Sequence, residues 1–161
     1  MTPASTSSTI DLSNADFAFI GENSDDRAGS SVSPAGDVDG DGLDDLLVGA
    51  FGNSDGGSNA GKAYLILGST LAASTSTSID LSNADFAFIG VTSKDFAGYS
   101  VSTAGDVNGD GLDDLFVGAY ANDDGGSGAG KAYLLLGSTL AASTSTSIDL
   151  SNADFEFIGE N

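Results

Sequence analysis

The segments DVDGDGLDDLLVGA (Asp37 to Ala50) and DVNGDGLDDLFVGA (Asp106 to Ala119) crowd five and four carboxylates into nine residues and then turn apolar. Asp37, Asp39 and Asp41 stand at every second position, Leu43 and Asp45 continue the spacing, and Gly40 and Gly42 permit a tight turn around one centre. Carboxylates this close repel one another unless a cation neutralises them. Oxygen donors without imidazole or thiolate select a hard ion, and Ca²⁺ takes about six to eight oxygens in a flexible cage. The spacing assigns to such an ion the side chains of Asp37, Asp39, Asp41 and Asp45 and the backbone carbonyl of Leu43. The second loop repeats the scheme with Asp106, Asn108, Asp110, Leu112 and Asp114. Asp44 and Asp113, between the last two ligand positions, are expected to face solvent or the loop backbone.

An EF-hand opens with the same acids, but it closes on a glutamate at its twelfth position and lies between helices. That position is Val48 or Val117 here, inside a strand-like run. A solvated Asp/Gly turn without an ion is the remaining alternative, and it needs no carboxylate at every second position.

The chain offers little other chemistry. It has no cysteine, histidine or tryptophan, which excludes disulfides, thiolate or imidazole metal sites, and Ser-His or Cys-His pairs. GGSNAGKA (Gly56 to Ala63) and GGSGAGKA (Gly125 to Ala132) nearly match a phosphate-binding loop, but Ala63 and Ala132 stand where the Mg²⁺-binding hydroxyl is needed, and a strand-like run follows. The glycines are better suited to closing a hairpin. With 24 acidic and four basic side chains, a net charge of −20 repels nucleic acid and anionic membranes. No apolar run approaches the roughly 20 residues of a spanning helix, so neither nucleic acid nor membrane insertion is expected. MTPASTSSTI lacks the basic start and apolar core of a signal peptide.

The elements that must hold the loops recur with them. IDLSNADFAFIG begins at Ile10 and Ile79, and IDLSNADFEFIG at Ile148; residues 10–78 and 79–147 align without a gap and differ at 13 of 69 positions. Each unit holds four strand-like runs, in the first near Ser30 to Ala35, Asp45 to Phe51, Lys62 to Leu67 and Phe86 to Gly90, with little helix. DLLVGAF and KAYLILG are apolar on both faces, as in strands covered on both sides. The fold expected is therefore all-β, with propeller blades of four antiparallel strands: two full blades plus one extra outer strand. A sandwich or a solenoid is the rival. The boundaries are 1–23 for a leader and orphan outer strand (10–21), 24–92 for blade 1 and 93–161 for blade 2. STLAASTSTS, present twice, is expected to be a solvated Ser/Thr-rich connector.

GDVDGDGLDDLLVGA, preceded by AGSSVS and followed by GKAYLILG, resembles the FG-GAP repeat of integrin α-subunit propellers and their bacterial relatives. The resemblance spans essentially the whole chain and implies a propeller carrying Ca²⁺ in the hairpin between the first and second strands of each blade, on the ligands named above. The chain departs from the pattern at Ala28-Gly29 and Ala97-Gly98, and at Gly49-Ala50-Phe51 and Gly118-Ala119-Tyr120. The function expected is a non-catalytic Ca²⁺-binding module, a binding, adhesion or scaffold unit of an extracellular or cell-surface protein, with a protein or glycan as candidate ligand. A propeller-type hydrolase using Ca²⁺ and clustered acids, or a fragment of a larger secreted repeat protein, is the alternative. Two blades cannot close a ring, so a head-to-tail homo-oligomer, a trimer or tetramer, is expected.

Overall fold

The computed structural model describes residues 11–160. Along the chain lie β1 (Ala18–Ile20), β2 (Ser31–Gly36), β3 (Asp45–Ala50), β4 (Lys62–Ile66), α1 (Gly68–Ala73), β5 (Ser78–Asp80) and β6 (Phe86–Ile89). The second unit follows with β7 (Ala97–Gly105), β8 (Asp114–Ala119), β9 (Lys131–Leu135), α2 (Gly137–Ala142), β10 (Ser147–Asp149) and β11 (Phe155–Ile158). The four strands expected in the first unit are β2, β3, β4 and β6, each within one residue of its expected ends. Ile10, where the orphan strand was expected to start, and the leader before it lie outside the described residues.

Strands β2, β3, β4 and β6 form an antiparallel sheet, and β7, β8, β9 and β11 form a second of the same order. The central strands carry the apolar runs: every residue of β4 is buried, and so is all of β3 except Leu46. One core joins the sheets, with Ala35, Leu47, Leu65 and Phe88 of the first against Val101, Leu115, Val117 and Tyr133 of the second. Burial of these side chains is the main force holding one sheet on the other. The chain is all-β with two blade-like sheets. Among the described residues, no helix is long and apolar enough to cross a membrane.

Two features depart from expectation. The Ser/Thr-rich connector is not simply a solvated loop, since its first part is the short helix α1, or α2 in the second unit. Asp85, from beyond the connector, accepts the Leu67 N–H and the Thr70 hydroxyl, each at 2.8 Å, and Asp45 accepts the Gly68 N–H at 2.8 Å. Donors at a helix start that lack intrahelical partners are thereby satisfied. Asp154 and Asp114 do the same for Leu136, Thr139 and Gly137. Leu140 then anchors α2 in the core, while Leu71 packs α1 on the outward face of the first sheet.

The second departure is that the end of each connector is a strand. β10 belongs by sequence to the second unit, yet it lies parallel to β6 of the first sheet, pairing Ile148 with Phe88. β5 lies in the same way along β1, pairing Ile79 with Phe19. β1 thus stands beside β5 as β6 stands beside β10.

Candidate metal centre

The first acidic loop joins β2 to β3, and a register shift between Pro34 and Gly36 turns the chain into it. Gly40 and Gly42 adopt φ of +79° and +88°, a region that side chains disfavour. The loop is wrapped by its own carboxylates. Asp37 accepts the N–H of Gly40 at 2.8 Å and of Gly42 at 3.0 Å, Asp39 that of Asp41 at 3.1 Å, and Asp41 that of Leu43 at 2.8 Å. One oxygen each of Asp37, Asp39 and Asp41 lies within 4.8 Å of the others. Two oxygens bound to one Ca²⁺ at about 2.3–2.6 Å stand at most about 5 Å apart, so these three fit a single ion of that size.

Asp45 is placed otherwise. It is fully buried, with one oxygen accepting the Val38 N–H at 2.9 Å and the other the Gly68 N–H at 2.8 Å. Burial pushes its carboxyl above the usual range; the two N–H bonds oppose this, and the charges of Asp39 and Asp41 add to it. It stands outside the close group of three, and its two bonds tie the loop to the start of α1. Leu43 is 43% exposed.

The second loop, between β7 and β8, repeats the wrapping. Asp106 accepts from Gly109, Asp110 and Gly111, and Asp110 from Leu112. Asn108, in the place of Asp39, donates its amide to Asp110 at 2.7 Å. Hydrogen bonding by Ser138, by the Leu112 N–H and by Asn108 holds the Asp110 carboxyl below its ordinary value. Asp114 repeats Asp45, accepting from Val107 and Gly137, each at 2.9 Å.

Of the two acids expected at solvent or loop backbone, Asp44 is exposed and Asp113 is not. Asp113 accepts the Asp37 N–H at 2.9 Å, and its own N–H donates to the Asp37 carbonyl at 3.0 Å, so the second loop clamps the first across the joint. The spacing gives no hint of this contact between units. The roles of Asp85 and Asp154 were also missed, although both recur in the repeated SNAD.

Most acids outside the loops are held by other groups. Asp26 accepts from Asn53 at 2.8 Å and Asp95 from Asn122 at 2.6 Å, all four buried. Lys62 pairs with Glu22 at 2.9 Å and Asp55 at 2.7 Å, and Lys131 with Asp124 and Glu156. The lysine of the phosphate-loop lookalike is therefore buried among carboxylates, at the start of a strand.

The FG-GAP repeat model matches twice, over residues 28–66 and 97–135, and each match contains one acidic loop. The chain is also similar to integrin alpha-PS2 of Drosophila melanogaster, 36% identical over 130 residues. That alignment takes in 77% of this chain and 9% of the integrin subunit, so the chain spans less than a tenth of its relative's length.

Proposed function

Since this chain is an FG-GAP repeat protein of the integrin alpha-like kind, we propose that it is a Ca²⁺-stabilised, non-catalytic module of a closed propeller that serves binding or adhesion at a cell surface or outside the cell. The observation that carries the metal is the convergence of Asp37, Asp39 and Asp41 in a loop already wrapped by its own backbone. Leu43 supplies a carbonyl and Asp45 a further oxygen, each of whose carboxylate atoms keeps a second lone pair beyond its N–H bond. The second loop takes a second ion on Asp106, Asn108, Asp110, Leu112 and Asp114. The ion offsets the repulsion among these acids and fixes the hairpin on which the sheet is registered. A non-catalytic role is supported by the acids outside the loops, which are occupied with asparagine, lysine and helix N–H groups. The integrin relationship supports the extracellular setting.

Calorimetric titration tests the reading. Two Ca²⁺ ions per chain are expected, with Mg²⁺ bound more weakly. No uptake, or a preference for Mg²⁺, overturns it.

A further inference from the structure

The joint between the two sheets is a template for what the ends of the chain can do. Each residue of the first unit has its equivalent 69 positions on. At the joint, Val38 is 1% and Phe88 0% exposed, facing a sheet whose Val101 is 8% exposed. Their equivalents at the chain's two ends are bare: Val107 is 54%, Phe157 52% and Val32 68% exposed. The second sheet thus presents the half-joint that Val38 and Phe88 make inside the chain. The first sheet presents the half that Val101 makes. There an open apolar groove of about 410 Å³ runs between Phe19 of β1 and Val32, Pro34, Leu46 and Val48.

The polar groups match as well. Inside the chain, Asp113 clamps the Asp37 backbone, and a side chain at Gly36 would meet the Asp113 carboxylate. At the ends, Asp44 is exposed, and Gly105, the equivalent of Gly36, has nothing against it. Lys62 takes its partner Glu22 from just beyond β1. The equivalent of Glu22 is Val91 at the internal joint but Glu160 at the end of the chain, where FIGEN (157–161) repeats residues 19–23. Glu160 is therefore an acid suited to the Lys62 of a following copy.

We propose that a second copy of this chain docks its first sheet on the second sheet of the preceding copy, rebuilding the internal joint, with β11 of one copy replacing β1 of the next along β5. In the docked pair Asp44 clamps the backbone of Asp106, and Glu160 takes the place of Glu22 beside Lys62. β1 is then a placeholder that covers the first sheet until the next copy arrives. The inference rests on the propeller reading above. The two faces differ, so the contact is heterologous and stops growing only when a ring closes. Two blade-like sheets per chain give an even count, and within the usual range of about four to eight blades a ring of six or eight makes a trimer or tetramer the closed form.

Val32→Lys and Val107→Lys each place a charge on one face at a residue exposed in the single chain. Sedimentation of the full chain in Ca²⁺ should give three or four copies for the unaltered protein and monomers for each variant alone. The equimolar mixture should stop at a heterodimer, because one intact face of each kind remains. Glu160→Lys should weaken assembly at least tenfold, whereas Glu22→Lys should lower the melting temperature and spare assembly. A folded monomer of the unaltered chain, or either single-face variant persisting as a dimer, overturns the docking; equal effects of Glu22→Lys and Glu160→Lys on assembly overturn the strand exchange. Calorimetry on monomeric Val32→Lys separates the two readings, since normal Ca²⁺ uptake there leaves the metal assignment standing whatever the assembly does.

Discussion

Asp113 accepts the backbone N–H of Asp37 at 2.9 Å, so a carboxylate of one acidic loop holds the first residue of the other. The two proposed ion sites are therefore expected to be unequal. The first has four carboxylates and a neighbour fixing its entry; the second has Asn108 in place of one acid. Affinities on the order of 10⁻⁴ to 10⁻³ M are expected for extracellular sites of this kind, the Asp37 loop being the tighter. Asp113→Ala should weaken Ca²⁺ at the first loop and leave the second nearly unchanged. Asp113→Asn, which keeps an acceptor, should restore most of the loss. Calorimetry that finds both loops weakened equally would refute a clamp acting on Asp37.

Ca²⁺ should raise the melting temperature. A ligand bound only by the folded state adds about 2.7 kcal/mol per site at a hundredfold excess over Kd. Asp41→Ala and Asp110→Ala should each remove one ion and part of that increment. If a chelator leaves the melting curve where it was, the loops are turns and nothing more.

Asp45 serves two buried backbone donors with two oxygens. Asparagine has only one carbonyl oxygen, so Asp45→Asn leaves the N–H of Val38 or of Gly68 without an acceptor. A buried donor stranded in this way costs about 1–3 kcal/mol. Urea unfolding measured in chelator isolates this cost from ion loss, and Asp114→Asn should behave alike. An unchanged midpoint would mean that neither bond matters.

Alkali should unfold the protein through its buried cations and phenols. Burial pushes the Tyr133 phenol up to about 12; Lys131 opposes this, and Asp95, Glu156 and Asp124 reinforce it. Burial alone would lower the Lys62 ammonium, but Asp55 and Glu22 outweigh it and hold the group above its ordinary value. Both groups keep their protons longer folded than unfolded, so the stability they contribute is intact below the unfolded values of 10.0 and 10.5. It is lost as pH rises from there through the folded values. Denaturation midpoints should fall as pH rises from about 10 towards 12, and less steeply in Tyr133→Phe. A flat profile would show that the phenol ionises without unfolding.

The apolar runs of β3 and β4 made the sheets legible, because strands covered on both faces cannot afford the alternation that leaves other strands ambiguous. The acidic loop was legible because its pattern is local: alternating acids and glycines within nine residues. The rest depends on distant partners. Nothing in GSTLAA announces a helix, since what stabilises α1 is Asp85 and the burial of Leu71. Ser-Ile-Asp is too short to read as a strand until β6 or β1 lies beside it. Asp45 reads as a ligand by its position, but the second task of its carboxylate, its two backbone bonds, became visible only when Val38 and Gly68 met around it.

The reach of β10 onto β6 also bears on how the chain finds its fold. β5 and β10 have the same sequence, and the edges they seek, in β1 and β6, both read Ala-Phe-Ile. During folding β10 can settle on either edge, and the wrong choice is a slip by one whole unit that satisfies the same backbone bonds. Local contacts do not penalise that slip; only the packing of the intact joint does, so correction must wait for the sheets to meet. Repeat proteins are prone to such misassembly. Refolding of this chain should therefore carry a slow, error-correcting phase that a single unit, having one edge to choose, would not.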